Sequence, residues 1–441
     1  MVREMTPFCM TRVISLINNY STVNITLMIR KALNSKINYS DLLASLIIYL
    51  FTFPAFQPTF SIGLDASYVW ALNYLFVNDY ATLKELIYPY GPLAFLKNPL
   101  VQGNNFTYFI IFFSTLKIWF IYLFIGISEQ FNKRKVLSYF LVTIMVMVFT
   151  IDFLIIGMVF IYSFLFINSK KLLHLFIAST IASIGLYIKS SIGVSAFSIL
   201  FVALIINYLA DKSKTSIFTS LGVVFGCILV CGLIVFHSIE HLFNYFHNII
   251  NFSIGYSSAL SLFPINNWFL IGISIVSLFL PLLWSRKNQT KYIVFLLLPC
   301  LFATWKHAMG RQDIPHSMIL YTFLFLYWGA FIALSKVNIK VLLLLASISL
   351  LTFYSNLQAS WDFSPRKVEI NGIVNFEKTI LNAKEFESRF KKRSEKNIQN
   401  SRLGQEVIDI IGQSTIDSYP WELSYFAANK ELNWKPRRTL Q

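Results

Sequence analysis

Charged residues are scarce in this chain of 441 residues. Asp, Glu, Lys and Arg together make up 13% of it, whereas about 25% is typical of a soluble protein. Hydrophobic residues reach 56%. Because so few charged side chains cannot cover a water-exposed surface, the composition excludes an ordinary soluble domain and predicts an integral membrane protein.

Cysteine is also rare, with four in the chain. Cys227 and Cys231 stand one helical turn apart inside an apolar run, which favours small packing side chains over a disulfide or a metal site. The spacing typical of zinc ligands is absent. The cysteines therefore predict neither a disulfide framework nor a structural metal.

Three further patterns are missing from the sequence. No cleavable signal peptide precedes the first apolar run, so the first spanning helix would act as its own signal. No repeat of fixed period occurs, and the two halves do not match as inverted repeats, which weakens a transporter interpretation. The predicted outer loops lack the D-x-D motif of nucleotide-sugar enzymes, which disfavours a nucleotide sugar as substrate.

Positive charge is plentiful, with a net charge of +16, but it is unevenly placed. If the apolar runs cross a membrane in alternation, most basic residues before the tail fall on one side. The few basic residues that fall on the other side are Lys84, Lys97, Lys189, Lys306 and Arg311. Since cytoplasmic loops carry the excess of Lys and Arg, the amino terminus is predicted to be cytoplasmic. The same topology explains the net charge, so nucleic acid is not an expected partner.

The apolar runs predict an all-α polytopic membrane protein with about eleven transmembrane helices. The predicted spans are 42–60, 106–127, 136–151, 153–168, 172–188, 191–210, 217–237, 267–284, 292–305, 316–334 and 341–357. The chain then divides into a cytoplasmic segment (1–40), a transmembrane domain (41–357) with a long outer loop (61–105), and an extracytoplasmic carboxyl-terminal domain (358–441).

The tail from residue 358 has a different composition and predicts a small α/β or irregular domain. Residues 377–396 are predicted to form a charged helix, and 405–411 a short helix or a strand.

Asp65 stands just past the first predicted span, in SIGLDASYVW. A carboxylate at the outer edge of the membrane could activate a hydroxyl acceptor or help to hold a divalent metal. Asp65 also stands where the N-cap of a helix over 66–77 belongs. Both interpretations remain open, because one residue can do both.

The stretch YPYGPLAFL (88–96) is a Pro-Gly turn between aromatic residues. Tyr90 and its aromatic neighbours could wall a lipid or sugar groove. Turn chemistry favours the alternative that the turn packs the surface helix onto the protein.

The densest polar group is WKHAMGRQDIPH, residues 305–316. Lys306, Arg311 and the neighbouring His307 suit a phosphate or pyrophosphate. Asp313 and His316 could supply an acid, a base or a metal ligand. Ionisable groups this close to two spanning helices are costly and usually functional.

Two further lysines are candidates for anion binding. Lys117 lies in the middle of a predicted span and needs a partner, for which Asp152 and a lipid phosphate are candidates. Lys189 caps a predicted hairpin on the outer side, where it could complete an anionic pocket or anchor the helix at the interface.

Four motifs in order resemble those of a family of bacterial multi-spanning proteins whose activity is not assigned. They are DASYVWALN (65–73), IYPYGPLAFL (87–96), KHAMGRQDIPH (306–316) and YPWELSYFAANKELNWKPRR (419–438). Met309, Gly310, Gln312 and Arg438 depart from the family pattern. The resemblance also implies an aromatic continuation after Gln441, so a truncated carboxyl-terminal domain is one interpretation. The long first outer loop with its acidic residue is similar to the layout of GT-C-type glycosyltransferases.

This resemblance implies a membrane glycosyltransferase of the bacterial inner membrane. Its partners would be a sugar donor linked to polyprenyl phosphate and an envelope glycan or lipid acceptor. Asp65 would correspond to the catalytic acid of the first loop, and Lys306 and Arg311 to phosphate-binding residues. A transporter or flippase, and a polymerase of envelope polysaccharide that uses the histidines near 238–266, are the alternatives. No metal ligand is assigned, and a divalent metal remains open.

Overall fold

The computed structural model describes residues 38–132, 135–259, 268–284, 288–311, 314–335, 338–360, 371–418 and 422–437. The chain forms two compact units, Met1–Ala44 and Ser45–Gln441. Of the first unit, residues 38–44 are described, and Tyr39–Phe51 is helix α1. The following paragraphs concern the second unit.

Helices dominate the described residues of this unit. Two short ones lie in the first loop, α2 (Leu64–Asn78) and α3 (Tyr80–Glu85). The apolar helices that follow are α4 (Asn105–Asn132), α5 (Lys135–Val148), α6 (Ile151–Ser169), α7 (Leu172–Ile188), α8 (Ser190–Asp211), α9 (Lys214–Phe236), α10 (Ile239–Ala259), α11 (Trp268–Trp284), α12 (Asn288–Arg311), α13 (Ile314–Leu334) and α14 (Ile339–Ser360).

The tail adds shorter elements. They are α15 (Gly372–Phe376), a π-helical turn (Glu377–Leu381), α16 (Ala383–Asn397), α17 (Gln405–Ile411), strand β1 (Thr415–Ile416), α18 (Ser424–Ala428) and strand β2 (Asn433–Trp434). The two strands pair in parallel. The predicted charged helix of 377–396 is thus a π-helical turn followed by α16, and 405–411 is a helix.

The helical, multi-pass membrane architecture predicted from composition is confirmed. Among the described residues, five helices are long and apolar enough to cross a membrane: Asn105–Gln130, Ile151–Ser169, Ser190–Asp211, Lys214–Phe236 and His316–Leu334. The helix α6 is largely buried within the bundle, whereas α9 exposes Phe225, Val230 and Ile234. A helix with so much apolar exposed surface needs lipid or another protein around it.

The first predicted span, 42–60, differs from the structure. Helix α1 ends at Phe51, and residues 53–60 are not helical. Pro54 and Pro58 account for the difference, because proline removes a helical donor and disfavours helix in the residue before it. The ring of Phe56 instead packs between Phe106, Phe109 and Phe113 on the first turns of α4.

Non-helical backbone at membrane depth must find hydrogen-bond partners within the protein. Lys117, which is 1% exposed, donates to the carbonyl oxygen of Thr52 at 2.5 Å. The side chain of Asn375 donates to the carbonyl of Phe53, and Asn397 to that of Phe60. Lys117 therefore satisfies a backbone carbonyl, and the suggested partner Asp152 is wrong, because Asp152 pairs with Lys97.

The contacts of the first loop fix which helix ends lie together. Residues Tyr80 and Lys84 of α3 donate to the last carbonyls of α9. The turn at Gly91 bonds to the end of α7, and Lys97 reaches the first turn of α6. Since α8 begins directly after α7 and α4 directly after the loop, these five helix ends lie at one end of the bundle. We call it the loop end.

The last residues of α12 and the first residues of α13 also lie at the loop end. The hydroxyl of Ser128, near the far end of α4, donates to the carbonyl of Ala333 at 3.3 Å. Helix α13 therefore ends at the far end of the bundle and begins, near His316, at the loop end. Helix α12 packs against α8 and α6. Because only two residues separate its last residue, Arg311, from Ile314 at the start of α13, the end of α12 also lies at the loop end.

The tail packs onto the first loop. The backbone N–H of Phe60 donates to Ser394 of α16 at 3.0 Å, and Trp434 of β2 lies 5.2 Å from Trp70 of α2, measured between ring centroids. Gly372 lies against the last carbonyls of α1, where a Cβ would come within 2.2 Å of the oxygen of Phe51. The long loop and the tail thus occupy the same end of the bundle.

Candidate functional site at the loop end

Asp65 lies in the first turn of α2, which begins at Leu64. The N-cap is Gly63, with φ of 136°, so the predicted N-cap role of Asp65 is wrong. Glu422 of the tail lies beside the start of this helix. Its carboxylate accepts from the N–H of Gly63 at 3.0 Å and from the hydroxyl of Ser67 at 3.3 Å. The carboxylate of Asp65 is exposed, and no described residue hydrogen-bonds to it.

Three tyrosines connect α2 to the turn of the first loop. The ring of Tyr68 lies 5.4 Å from that of Tyr88 and 5.7 Å from that of Tyr90, measured between ring centroids. Tyr68 also hydrogen-bonds to Tyr90. Because Asp65 and Tyr68 are three residues apart on a helix, they share a face. Asp65 therefore lies about one turn from the tyrosine that contacts Tyr90.

The turn around Gly91 is fixed by backbone hydrogen bonds to the break between α7 and α8. The N–H of Gly91 donates to Ile188 at 3.2 Å, and that of Leu93 to Tyr187 at 3.0 Å. In return, the N–H of Ser190 donates to Pro89 at 2.9 Å. These bonds use carbonyls and amides that the helix ends leave free. They also pair Tyr90 with Lys189 across an antiparallel bridge.

Four side chains converge beside this bridge. The Nζ of Lys189 lies over the ring of Tyr90, 4.9 Å from its centroid. Lys97 forms an ion pair with Oδ2 of Asp152, and both side chains are largely buried. The other carboxylate oxygen of Asp152, Oδ1, is buried without a hydrogen-bond partner among the described residues. We call Tyr90, Lys97, Asp152 and Lys189 the lysine–tyrosine cluster.

The lysine–tyrosine cluster holds two ammonium groups and one carboxylate, so it carries an excess positive charge. Burial alone would raise the pKa of Tyr90, but the nearby charges of Lys189 and Lys97 outweigh it and lower that pKa below its ordinary value. Burial would lower the pKa of Lys97, yet Asp152 and Tyr90 raise it above its ordinary value. Both lysines therefore favour negative charge beside them.

A second set of contacts holds the tail against α2. Trp434 packs on Trp70 and Tyr74, and its indole N–H donates to Asp417 at 2.9 Å. Arg437 also pairs with Asp417 at 2.8 Å. Burial would raise the pKa of Asp417, but the hydrogen bonds from Arg437 and Trp434 outweigh it and lower that pKa. Three of the four sequence motifs thus contact one another.

The structure describes only some of the predicted site residues in 305–316. Lys306 is exposed near the end of α12, and His316 is half-buried in the first turn of α13. Asp313, and the side chains of His307 and Arg311, lie outside the described residues. Tyr90 and Lys189, both predicted, lie together, whereas Lys117 lies at the other end of the 53–60 segment, against Thr52.

Sequence reasoning missed Lys97, Asp152, Tyr68 and Glu422 as members of this site. One signal was present, since Asp152 is an acid at the start of an apolar helix and needed a partner. Its partner could not be identified from spacing, because Lys97 belongs to a loop whose path depends on the turn at Gly91. Glu422 belongs to the fourth motif (419–438), but its contact with Gly63 could not be predicted from spacing, because that contact requires the tail to fold back on residue 63.

Among the described residues, no group of three or more His, Cys, Asp or Glu side chains is arranged to hold a metal ion. The excess positive charge of the lysine–tyrosine cluster is suited to an anion, which the ammonium groups of its two lysines would contact. Comparison of the chain with family models, with curated proteins and with solved structures found no match in any of the three.

Proposed function

We propose that the chain is a membrane glycosyltransferase that takes sugar from a polyprenyl-phosphate donor. The observation that carries this proposal is the arrangement at the loop end. There the exposed carboxylate of Asp65 lies on the face of α2 that contacts Tyr90, and Tyr90 packs beneath the ammonium group of Lys189. A carboxylate and an anion-binding cluster at the edge of a helical bundle suit an enzyme whose donor carries its phosphate on a lipid.

The roles follow from the chemistry of the transfer. Asp65 accepts the proton of the acceptor hydroxyl as that oxygen attacks the anomeric carbon of the sugar. The bond from that carbon to the phosphate oxygen breaks, and the departing phosphate gains negative charge. Lys189, with Lys306 and Arg311 of α12, stabilises that charge. Asp313 and His316 are assigned to proton transfer, and His307 to phosphate binding.

The topology completes the proposal. The bundle crosses the inner membrane of a bacterium about eleven times, in a GT-C-like layout. Since basic residues concentrate away from the loop end, that end faces outward and the amino terminus is cytoplasmic. The donor phosphate then lies at the outer surface, with an envelope glycan or lipid as acceptor. The first loop and the tail, which are packed together, cover the reacting groups.

The Asp65→Asn variant tests this assignment. In nanodiscs supplied with undecaprenyl-phosphate glucose or mannose and an envelope lipid extract, its rate of undecaprenyl phosphate release is expected to fall about 100-fold or more, as for loss of a general base. Lys306→Ala is expected to lower kcat more than it raises KM, because it removes a charge that stabilises the departing phosphate. The control is Glu85→Gln, which removes an exposed carboxylate of the same loop and should keep the wild-type rate. Wild-type rates in Asp65→Asn would contradict the proposal.

A further inference from the structure

A separate cavity of about 310 Å³ lies between the non-helical 53–60 segment and the tail. Its lining combines a basic rim with an aromatic wall. The rim consists of Lys378, Arg389 and Arg393, and the wall of Phe56, Phe386 and Phe390. Among the described residues no carboxylate lines it, although Glu377, Glu385 and Glu387 belong to the same stretch of the tail. The charged side chains known to line the cavity are therefore all positive.

The three cations have no acidic partner among the described residues. Arg389 and Arg393 are one turn apart on α16, where like charges repel each other. The guanidinium of Arg389 lies over the rings of Phe386 and Phe390, at 5.6 and 5.0 Å from their centroids, which leaves its edge free to donate. An anion between the two arginines would relieve their repulsion and accept their hydrogen bonds.

The backbone beside the cavity gives a second, independent observation. Lys378 and Thr379 belong to the π-helical turn Glu377–Leu381. A π-helical turn is less stable than an α-helix and is frequently found at functional sites. Here it contributes Lys378 to the rim, so that cations from two separate elements line one cavity.

The position of the cavity relates it to the membrane surface. Its wall residue Phe386 stacks on Phe106, with ring centroids 5.3 Å apart, and Phe106 lies in the first turn of the spanning helix α4. The basic rim therefore lies near the level at which the apolar bundle ends. Phosphate groups of lipids lie at that level of a bilayer, with their acyl or prenyl chains directed into the apolar layer.

We propose that this cavity binds the phosphate group of a membrane lipid. Arg389 and Arg393 donate to the phosphate oxygens from one side and Lys378 from the other, while the phenylalanine wall contacts the first carbons of the lipid chain. This site is distinct from the lysine–tyrosine cluster and does not depend on the glycosyltransferase assignment. A bilayer phospholipid and a polyprenyl phosphate share the required chemistry.

Native mass spectrometry of the full chain, released from detergent, tests the proposal. The probes are phosphatidylglycerol, undecaprenyl phosphate, inorganic phosphate and, as the neutral comparison, phosphatidylcholine. The double variant Arg389→Gln/Arg393→Gln is expected to lose about tenfold or more in affinity for an anionic lipid, since charge-assisted hydrogen bonds to two side chains are removed. Both residues are exposed, so the variant should fold, which its unchanged unfolding temperature would show.

The matched control is Lys391→Gln/Lys392→Gln, which removes the same charge from α16 outside the cavity and should stay within about twofold of wild type. Selective loss of phosphatidylglycerol in the arginine variant would identify a bilayer lipid, and selective loss of undecaprenyl phosphate a carrier lipid. Equal losses in the two double variants, or inorganic phosphate bound as tightly as either lipid, would overturn the proposal. Transfer activity is not measured here, so this outcome is separable from that of Asp65→Asn.

Discussion

Replacing Lys97 with methionine is expected to destabilise the protein by about 3 kcal/mol, which is typical of breaking a largely buried ion pair. The substitution leaves the carboxylate of Asp152 without its partner, and its Oδ1 already has none among the described residues. An uncompensated charge inside the bundle costs more than the pair contributed. The free energy of unfolding, measured by SDS titration in mixed micelles, gives the size of the loss.

Two comparisons isolate the cause of that loss. In Lys97→Met/Asp152→Leu both charges are gone, so much of the stability should return. Lys135→Met removes one partner of an exposed pair, Lys135–Glu129 at 3.3 Å, and should cost about 1 kcal/mol or less. Two results would contradict a buried Lys97–Asp152 ion pair. One is a loss of unfolding free energy in Lys97→Met no larger than in Lys135→Met. The other is a lower stability of Lys97→Met/Asp152→Leu than of Lys97→Met.

The second large effect is expected at Gly91. A Cβ on this residue would come within 2.3 Å of the carbonyl oxygen of Tyr187 and 2.9 Å of the hydroxyl of Tyr245. Backbone atoms cannot move aside as a flexible side chain does, so Gly91→Ala must displace the turn from the break between α7 and α8. We expect a loss of about 2–3 kcal/mol, at the upper end for overpacking. The unfolding measurement used for Lys97→Met applies here.

The matched control for Gly91 is Gly222→Ala on the exposed side of α9. A Cβ there meets nothing within 4 Å, so the change should be neutral or stabilising by up to about 1 kcal/mol, as alanine is the better helix former. The two Gly→Ala variants should therefore differ in sign. Equal effects at both positions would show that the turn does not approach α7 closely.

The positions of the helices could largely be predicted from the sequence, because apolar runs of spanning length leave few alternatives. The end of the first predicted span is an exception. Residues 53–60 are apolar enough to extend the first span, yet Pro54 and Pro58 end the helix at Phe51. Hydropathy indicates which segments lipid or protein can surround. Whether such a segment is helical also depends on which backbone N–H donors and C=O acceptors are available for hydrogen bonds.

The site was harder to predict, since its members come from distant parts of the chain. The sequence singled out Tyr90 and Lys189 separately, but their pairing depends on the close approach that Gly91 allows. Lys117 was predicted to need a partner, and it has one in the carbonyl of Thr52, which no spacing rule could indicate. A lysine within an apolar run indicates that a buried charge needs a hydrogen-bond partner. Only the folded structure identifies the group that provides it.

The turn of the first loop lies against the break between α7 and α8 and there forms the lysine–tyrosine cluster. Oxidative cross-linking in membranes, in a chain whose four cysteines are replaced by alanine, tests this contact. Tyr90 and Lys189 form a β-bridge, and such partners have Cα atoms about 4.5–5.5 Å apart, within reach of a disulfide.

We expect the Tyr90→Cys/Lys189→Cys variant to form a disulfide, seen as a shift in electrophoretic mobility that a reductant reverses. Tyr90→Cys/Lys212→Cys should form none, since Lys212 follows the far end of α8, about 33 Å from its start. Failure of the first pair to cross-link, or equal cross-linking of both pairs, would contradict the assembly of the site at the loop end.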